Sequence, residues 1–258
     1  MSPRRRLVLV AAVLLLVLAG VLAVVGLRSA GGGDVVPVRQ SLPGPVLLVP
    51  GYGGDAAALG RLAVALQAAG RQAMVLQLPG DGTGALGDQA AVLGSAAAAA
   101  VASGAPSVDV VGYSAGGVVA RLWVAEQDGG SLARRVVTLG SPHHGTDVAG
   151  LAQVFAPSSC PAACRDLAPD SDLLGRLNRV DESPEGPVWV SIWTTDDEVV
   201  TPPSSARLEG ALDVVVQDRC PGRKVAHGQL PTDPAVQAMV LAVIGPGQPV
   251  AASDCPAP

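Results

Sequence analysis

Residues 108–123 read Val108-Asp109-Val110-Val111-Gly112-Tyr113-Ser114-Ala115-Gly116-Gly117-Val118-Val119-Ala120-Arg121-Leu122-Trp123. The apolar run Val108–Tyr113 has the length and β-branched content of a buried strand, and the stretch Ala115–Glu126 has helical period. Between them lies Gly112-Tyr113-Ser114-Ala115-Gly116, a match to G-x-S-x-G. In a chain with 32 glycines the pentapeptide alone is weak evidence. The strand before it and the helix after it make it specific, because a serine on so sharp a strand-to-helix turn projects its hydroxyl above the sheet edge. The flanking positions then need glycine or another small residue, and the helix N-terminus aims its amide dipoles at the hydroxyl. A plain glycine-rich turn closing a βα unit is the competing reading.

Working outward, the same rhythm repeats. Val46–Val49, Gln72–Leu78, Val108–Tyr113, Arg135–Leu139, Val188–Trp193 and Leu212–Val216 read as strands. Helical stretches at Ala56–Ala69, Ala85–Ala102, Ala115–Glu126 and Pro234–Ile244 alternate with them. Short Val/Leu-rich runs separated by helices predict an α/β fold: a doubly wound, mainly parallel sheet buried on both faces. The domain is expected to span residues 46–258. Within it, residues 147–187 break the rhythm with Pro, Ser, Asp and Cys, and are expected to form a cap over the C-terminal edge of the sheet.

A serine hydroxyl is a poor nucleophile until a base takes its proton, so Ser114 calls for a histidine and an orienting carboxylate. The strand–G-x-S-x-G–helix arrangement places them later in the chain, acid first and histidine last. Of the three histidines, His227 lies between the last strand and the last helix. The acid should follow Val188–Trp193, where Thr194-Thr195-Asp196-Asp197-Glu198 stands. Asp197 is the chosen acid and Asp196 the alternative, since spacing does not say which of two neighbours points inward. The oxyanion hole requires two backbone N–H groups. Ala115, directly after the nucleophile, supplies one, and Tyr52 in Gly51-Tyr52-Gly53-Gly54 supplies the other. That glycine loop also satisfies G-x-G-x-x-A, the dinucleotide fingerprint, but the acidic residue that should end the second strand is missing from Gln77-Leu78-Pro79.

Val49-Pro50-Gly51-Tyr52-Gly53-Gly54, the Ser114 motif, Thr138-Leu139-Gly140-Ser141-Pro142-His143-His144-Gly145-Thr146, and Asp197-Glu198-Val199-Val200 with His227 together resemble the α/β-hydrolase lipases over about residues 46–244. The nearest likeness is to small bacterial triacylglycerol lipases and esterases, including exported actinobacterial members. The resemblance implies Ser114 as nucleophile, Asp197 as acid, His227 as base, the amides of Tyr52 and Ala115 as oxyanion hole, and no cofactor. Where many such lipases carry His-Gly, this chain has Pro50-Gly51, which removes a side chain that helps to shape the hole. His143 and His144 precede the acid and so read as structural, near the floor of the site. The expected activity is hydrolysis of carboxylic esters, lipid or acylglycerol esters among them. Acyl transfer with the same residues is the alternative, and a dinucleotide-binding role the distant one.

Charge excludes a nucleic-acid partner: Arg4, Arg5, Arg6 and Arg28 precede every acid, leaving 13 of the 17 basic residues against all 22 acidic ones. The single lysine, Lys224, rules out a P-loop. Leu7–Leu27 is an unbroken apolar run of 21 residues behind three arginines, long enough to span a bilayer. Residues 1–28 are therefore expected to be an uncleaved signal anchor with the catalytic domain outside the cell membrane, secretion after cleavage being the alternative. Residues 29–45, punctuated by Gly and Pro, read as a linker. Four cysteines suit an oxidising exterior. They allow three connectivities, of which Cys160–Cys164 with Cys220–Cys255 is the expected one. A zinc site built from Cys160, Cys164, His143 and His144 fits poorly, for want of a second close cysteine pair. The chain is expected to be a monomer whose partners are its substrate and the membrane.

Overall fold

Val, Leu and Ile dominate the short runs that become strands, and the runs at 46–49, 108–113, 133–139 and 188–193 are buried almost throughout, as inner strands of a parallel sheet require, while those at 73–75 and 212–215 are only partly buried. The structure, a computed structural model, describes residues 35–249 except 55, 156 and 180, together with Cys255. The expected membrane segment at Leu7–Leu27 and the first part of the linker lie outside the described residues. Among the described residues no helix is long and apolar enough to cross a membrane.

The strands are β1 (Val46–Val49), β2 (Ala73–Val75), β3 (Val108–Tyr113), β4 (Ala133–Leu139), β5 (Val188–Trp193) and β6 (Leu212–Val215). They form one sheet in the order β2-β1-β3-β4-β5-β6, every pair parallel. Helices α1 (Ala57–Ala68), α2 (Leu86–Ala102), α3 (Ala115–Glu126), α4 (Asp147–Phe155), α5 (Ala162–Asp166), α6 (Asp172–Leu177), α7 (Val216–Arg219) and α8 (Pro234–Ile244) connect and flank them. Alternate strand residues feed two cores. Val46, Leu48, Val111 and Val137 pack with Leu59, Leu62 and Leu66 of α1 and with Val236, Met239 and Val240 of α8. Leu47, Val49, Val110 and Val136 pack on the other face with Leu86 and Leu93 of α2 and with Val119 and Trp123 of α3. This is the α/β-hydrolase arrangement of a doubly wound sheet.

The connection after β1 thus leaves toward one face and the connection after β3 toward the other, although the two strands are neighbours. Their C-terminal ends therefore open a crevice at the point where the winding reverses, the place where open α/β sheets bind ligands.

Three stretches differ from the expectation. β2 covers only Ala73–Val75 of the expected Gln72–Leu78, since it is the edge strand and pairs with β1 alone through Val46–Leu48. β4 begins at Ala133, two residues early, because Arg134 and Arg135 are fully buried in the sheet instead of ending it. Residues 147–187 are largely helical, and Ala163, Leu167, Leu173, Leu174 and Leu177 join the core formed by α2 and α3. The later part of that segment is thus a wall of the molecule. Its beginning is tied to the loop after β5, where Asp147 N donates to Thr201 O at 2.9 Å and Thr146 Oγ1 to Val199 O at 2.7 Å. Disulfides join Cys160 to Cys164 and Cys220 to Cys255.

Candidate active site

The turn between β3 and α3 is tight enough to dictate its sequence. A Cβ on Gly116 would stand 2.2 Å from Val49 O, and one on Gly112 would stand 2.5 Å from Gly116 O, so the end of β1 and the start of α3 meet only because both positions lack side chains. Ser114, between them, has φ 54° and ψ −124°, a conformation that costs a non-glycine residue about 1–3 kcal/mol. Its N–H is held by Leu139 O at 2.8 Å, the last residue of the neighbouring strand. The strained backbone turns Oγ away from the helix it caps and toward the loops that follow β5 and β6.

His227 arrives there on a short 3-10 turn, His227–Gln229. Its Nε2 lies 3.0 Å from Ser114 Oγ, and its Nδ1 lies 2.7 Å from Asp197 Oδ2. An ionised carboxylate only accepts, so Nδ1 carries the proton and Nε2 is left free to accept one from the serine. The other oxygen of Asp197, Oδ1, accepts from Val199 N at 3.0 Å and Val200 N at 2.8 Å. The carboxylate is thereby aimed, and both Asp197 and His227 are buried. Asp196 turns elsewhere, to Lys224 Nζ at 3.0 Å and Gln217 Nε2 at 3.0 Å. The Lys224 contact, followed by the backbone N–H of Val225, holds Asp196 below the usual carboxylate range.

The loop of Gly51-Tyr52-Gly53-Gly54 closes on itself through Gly54 N to Gly51 O at 3.0 Å. A Cβ on Gly51 would approach Ser114 Cβ to 3.0 Å, so this loop lies against the serine, on the β1 side of the crevice. Tyr52 is half-exposed. Ala115 is the first residue of α3, where the N–H has no acceptor within its own helix.

His143 is fully buried, with Nε2 3.1 Å from Thr138 Oγ1. Burial, reinforced by Arg121 and His144, pushes its pKa well below the ordinary value, so it is neutral. His144 lies 2.8 Å from Glu182 Oε1. Neither imidazole is bonded to Ser114.

Three participants were not evident from the sequence. Gly140, at φ 53°, backs the Asp197–His227 contact, and its only trace is its position at the end of a strand. The Tyr113 ring lies 5.2 Å from the His227 ring, and its hydroxyl donates to His227 O at 3.3 Å. Arg121, the seventh residue of α3, donates to Glu182 O, His143 O, Leu177 O and Asn178 Oδ1. It ties the serine's helix to three later segments, at the cost of a burial that lowers its pKa to about 10.

The model of the lipase (class 2) family matches residues 97–238, more than half of the chain and a span that contains Ser114, Asp197 and His227. The chain belongs to the class 2 lipase family. Among solved structures, this family member is similar to lipase B of Aspergillus fumigatus, with a TM-score of 0.65 at 19% identity, over 83% of this chain and 57% of that one. It is also similar to the mature form of the Bacillus licheniformis lipase BlEst2, with a TM-score of 0.60 at 18% identity, over 78% of this chain and 91% of that one. The propeptide form of BlEst2 gives 0.67 at 17% identity, over 88% and 55%. The chain thus spans little more than half the length of the fungal lipase and most of the mature bacterial one. Curated proteins give no match.

Proposed function

We propose that this protein is a serine esterase that hydrolyses carboxylic esters, those of lipids and acylglycerols in particular, through Ser114, His227 and Asp197. The observation that carries the reading is the chain of two hydrogen bonds, Ser114 Oγ to His227 Nε2 at 3.0 Å and His227 Nδ1 to Asp197 Oδ2 at 2.7 Å. Membership of a lipase family supports the ester class of substrate.

In the first half-reaction Ser114 Oγ attacks the ester carbonyl carbon as His227 Nε2 takes the hydroxyl proton. Asp197 stabilises the imidazolium that forms and keeps the ring in the productive tautomer. Negative charge develops on the carbonyl oxygen, where the N–H of Ala115, at the positive end of α3, and the N–H of Tyr52 receive it. Collapse of the tetrahedral species breaks the bond to the alkoxy oxygen, which leaves as an alcohol with the proton from Nε2. A water molecule then repeats the cycle on the acyl-enzyme, and His227 first takes its proton and then returns one to Ser114.

The two disulfides fit an oxidising compartment. With the Leu7–Leu27 run behind three arginines, they support a catalytic domain held outside the cell membrane by an N-terminal anchor.

The test is hydrolysis of p-nitrophenyl esters from acetate to palmitate by the full-length protein and by Ser114→Ala. Wild-type turnover that disappears in the variant supports the reading, and the chain-length optimum ranks lipid against small esters. Equal rates in the two proteins, or none in either with both disulfides intact, overturn it.

A further inference from the structure

The contact between Asp197 and His227 joins two loops about 30 residues apart in sequence, so something other than the bond itself has to keep those loops at a fixed separation. Paired strands do this as far as Trp193 and Val215, which are partners in register at the ends of β5 and β6. Beyond them the ladder continues through one side chain. Gln217, two residues past Val215, accepts from Thr195 N at 3.0 Å, two residues past Trp193. Its amide Nε2 faces three acceptors: Thr194 Oγ1 at 2.8 Å, Asp196 Oδ2 at 3.0 Å and Arg223 O at 3.3 Å.

Thr194 and Asp196 then reach across to the histidine's own loop. The Thr194 hydroxyl donates to Val225 O at 2.8 Å, and both residues are buried. Asp196 accepts from Val225 N at 3.4 Å and from Lys224 Nζ at 3.0 Å. Residues 223, 224 and 225 are thus each bound to Gln217 or to the segment that ends in Asp197, two positions before His227.

We infer that Gln217 and Asp196 are positioning residues: together they clamp the loop of the acid to the loop of the histidine and so hold the Asp197–His227 hydrogen bond at its length. Asp196, the unused member of the acidic pair, acquires a role distinct from that of its neighbour. The inference rests on the proposed serine-esterase reading. It predicts a particular kind of defect, because the clamp touches neither the ester nor Ser114. Loosening it weakens the support that a carboxylate gives to the imidazolium, which slows the chemical step and leaves substrate binding alone.

The experiment compares full-length wild type with Gln217→Met, which keeps the volume and loses every hydrogen bond, and with the pair Asp196→Ala and Asp196→Asn. Active sites are counted by the p-nitrophenol burst. The clamp predicts that kcat per active site falls about 10- to 100-fold in Gln217→Met with KM unchanged, the scale expected of a small misplacement of reacting groups. It also predicts that the downfield proton resonance of His227 Nδ1–H, the mark of its short bond to Asp197, is lost in Gln217→Met. Asp196→Asn, which still offers an oxygen to Gln217 and to Val225 N, should recover most of what Asp196→Ala loses. A kcat that falls only with the number of active sites, with an unchanged Nδ1–H resonance, overturns the clamp. If Gln217→Met does not fold, the Asp196 pair decides alone, and equal rates in its two members overturn the clamp. Should the wild type hydrolyse no ester, the esterase reading fails separately. The downfield proton resonance of His227 Nδ1–H then decides: lost in Gln217→Met it supports the clamp, and unchanged it overturns it.

Discussion

Gly140, the residue after β4, has φ 53°, and a Cβ at that position would stand 2.5 Å from Leu230 Cδ1, 3.1 Å from Asp197 Oδ2 and 3.3 Å from His227 Nδ1. Leu230 Cδ1 is the far end of a side chain that can turn, but the carboxylate and imidazole are each bonded in place. Gly140→Ala therefore carries two effects: a left-handed backbone cost of about 1–2 kcal/mol, and a methyl group pressed against the acid–base contact. Its expected outcome is a modest fall in melting temperature with a loss of about 100-fold in kcat per folded molecule, read by burst-normalised kinetics. A variant that melts lower but turns over normally would show that the contact tolerates the methyl. At this scale the sequence was legible where chemistry and spacing coincide, as in the G-x-S-x-G turn and in the histidine placed after the last strand. It was not legible between Asp196 and Asp197, because adjacent loop residues share every spacing argument. What separates them is which carboxylate meets the N–H groups of Val199 and Val200 and which meets Gln217.

Among the elements, β3 and β4 carry charges that a buried parallel strand ordinarily excludes. Asp109 is fully buried and accepts from Arg134 Nε at 2.9 Å, from Arg134 Nη2 at 2.6 Å and from Arg71 Nη2 at 2.6 Å. The same arginines, with Arg135, donate to the last carbonyls of α8 and just beyond it, at Val243, Ile244, Gly245 and Gly247. Positive charge at a helix C-terminus is favourable, and the single carboxylate offsets the mutual repulsion of the guanidinium groups. A polar pair at 134–135 reads in sequence as a strand boundary. It became strand interior because these carbonyls and Asp109 satisfy it, partners that come from far along the chain. Asp109→Asn removes the one negative charge and leaves buried guanidinium groups uncompensated, and the expected loss is about 3–5 kcal/mol. It should appear as a lower urea midpoint with an unchanged m-value. Since Asp109 is near the N-terminal end of β3, away from Ser114, kcat of the folded fraction should stay at the wild-type value. A midpoint within experimental error of wild type would mean that the helix carbonyls suffice.

For the molecule as a whole, alternating apolar runs and helical periods were enough to anticipate a doubly wound sheet, since a strand buried on both faces leaves no other pattern. The helices within 147–187 escaped because they are short and rich in the residues that usually mark loops, and Ala163, Leu173, Leu174 and Leu177 of α5 and α6 are stabilised by burial in the core formed by α2 and α3. A buried histidine just before that segment links the fold to pH. His143 has an ordinary pKa of 6.5 when unfolded, and in the fold its pKa is well below that, through burial first and then the nearby Arg121 and His144. Below pH 6.5 the unfolded chain takes up a proton that the native state refuses, so the unfolded state binds more protons and stability rises with pH. The contribution is complete above pH 6.5 and is lost as pH falls from there toward the folded pKa, at a limiting slope of about 1.4 kcal/mol per pH unit. His143→Gln keeps a side chain long enough to reach Thr138 and has nothing to titrate. Urea unfolding of both proteins at a series of pH values from neutral to 5 isolates the term, because every other group is common to the two. The wild type should lose stability relative to the variant as pH drops below 6.5, and parallel curves would show that His143 takes up its proton without unfolding the chain.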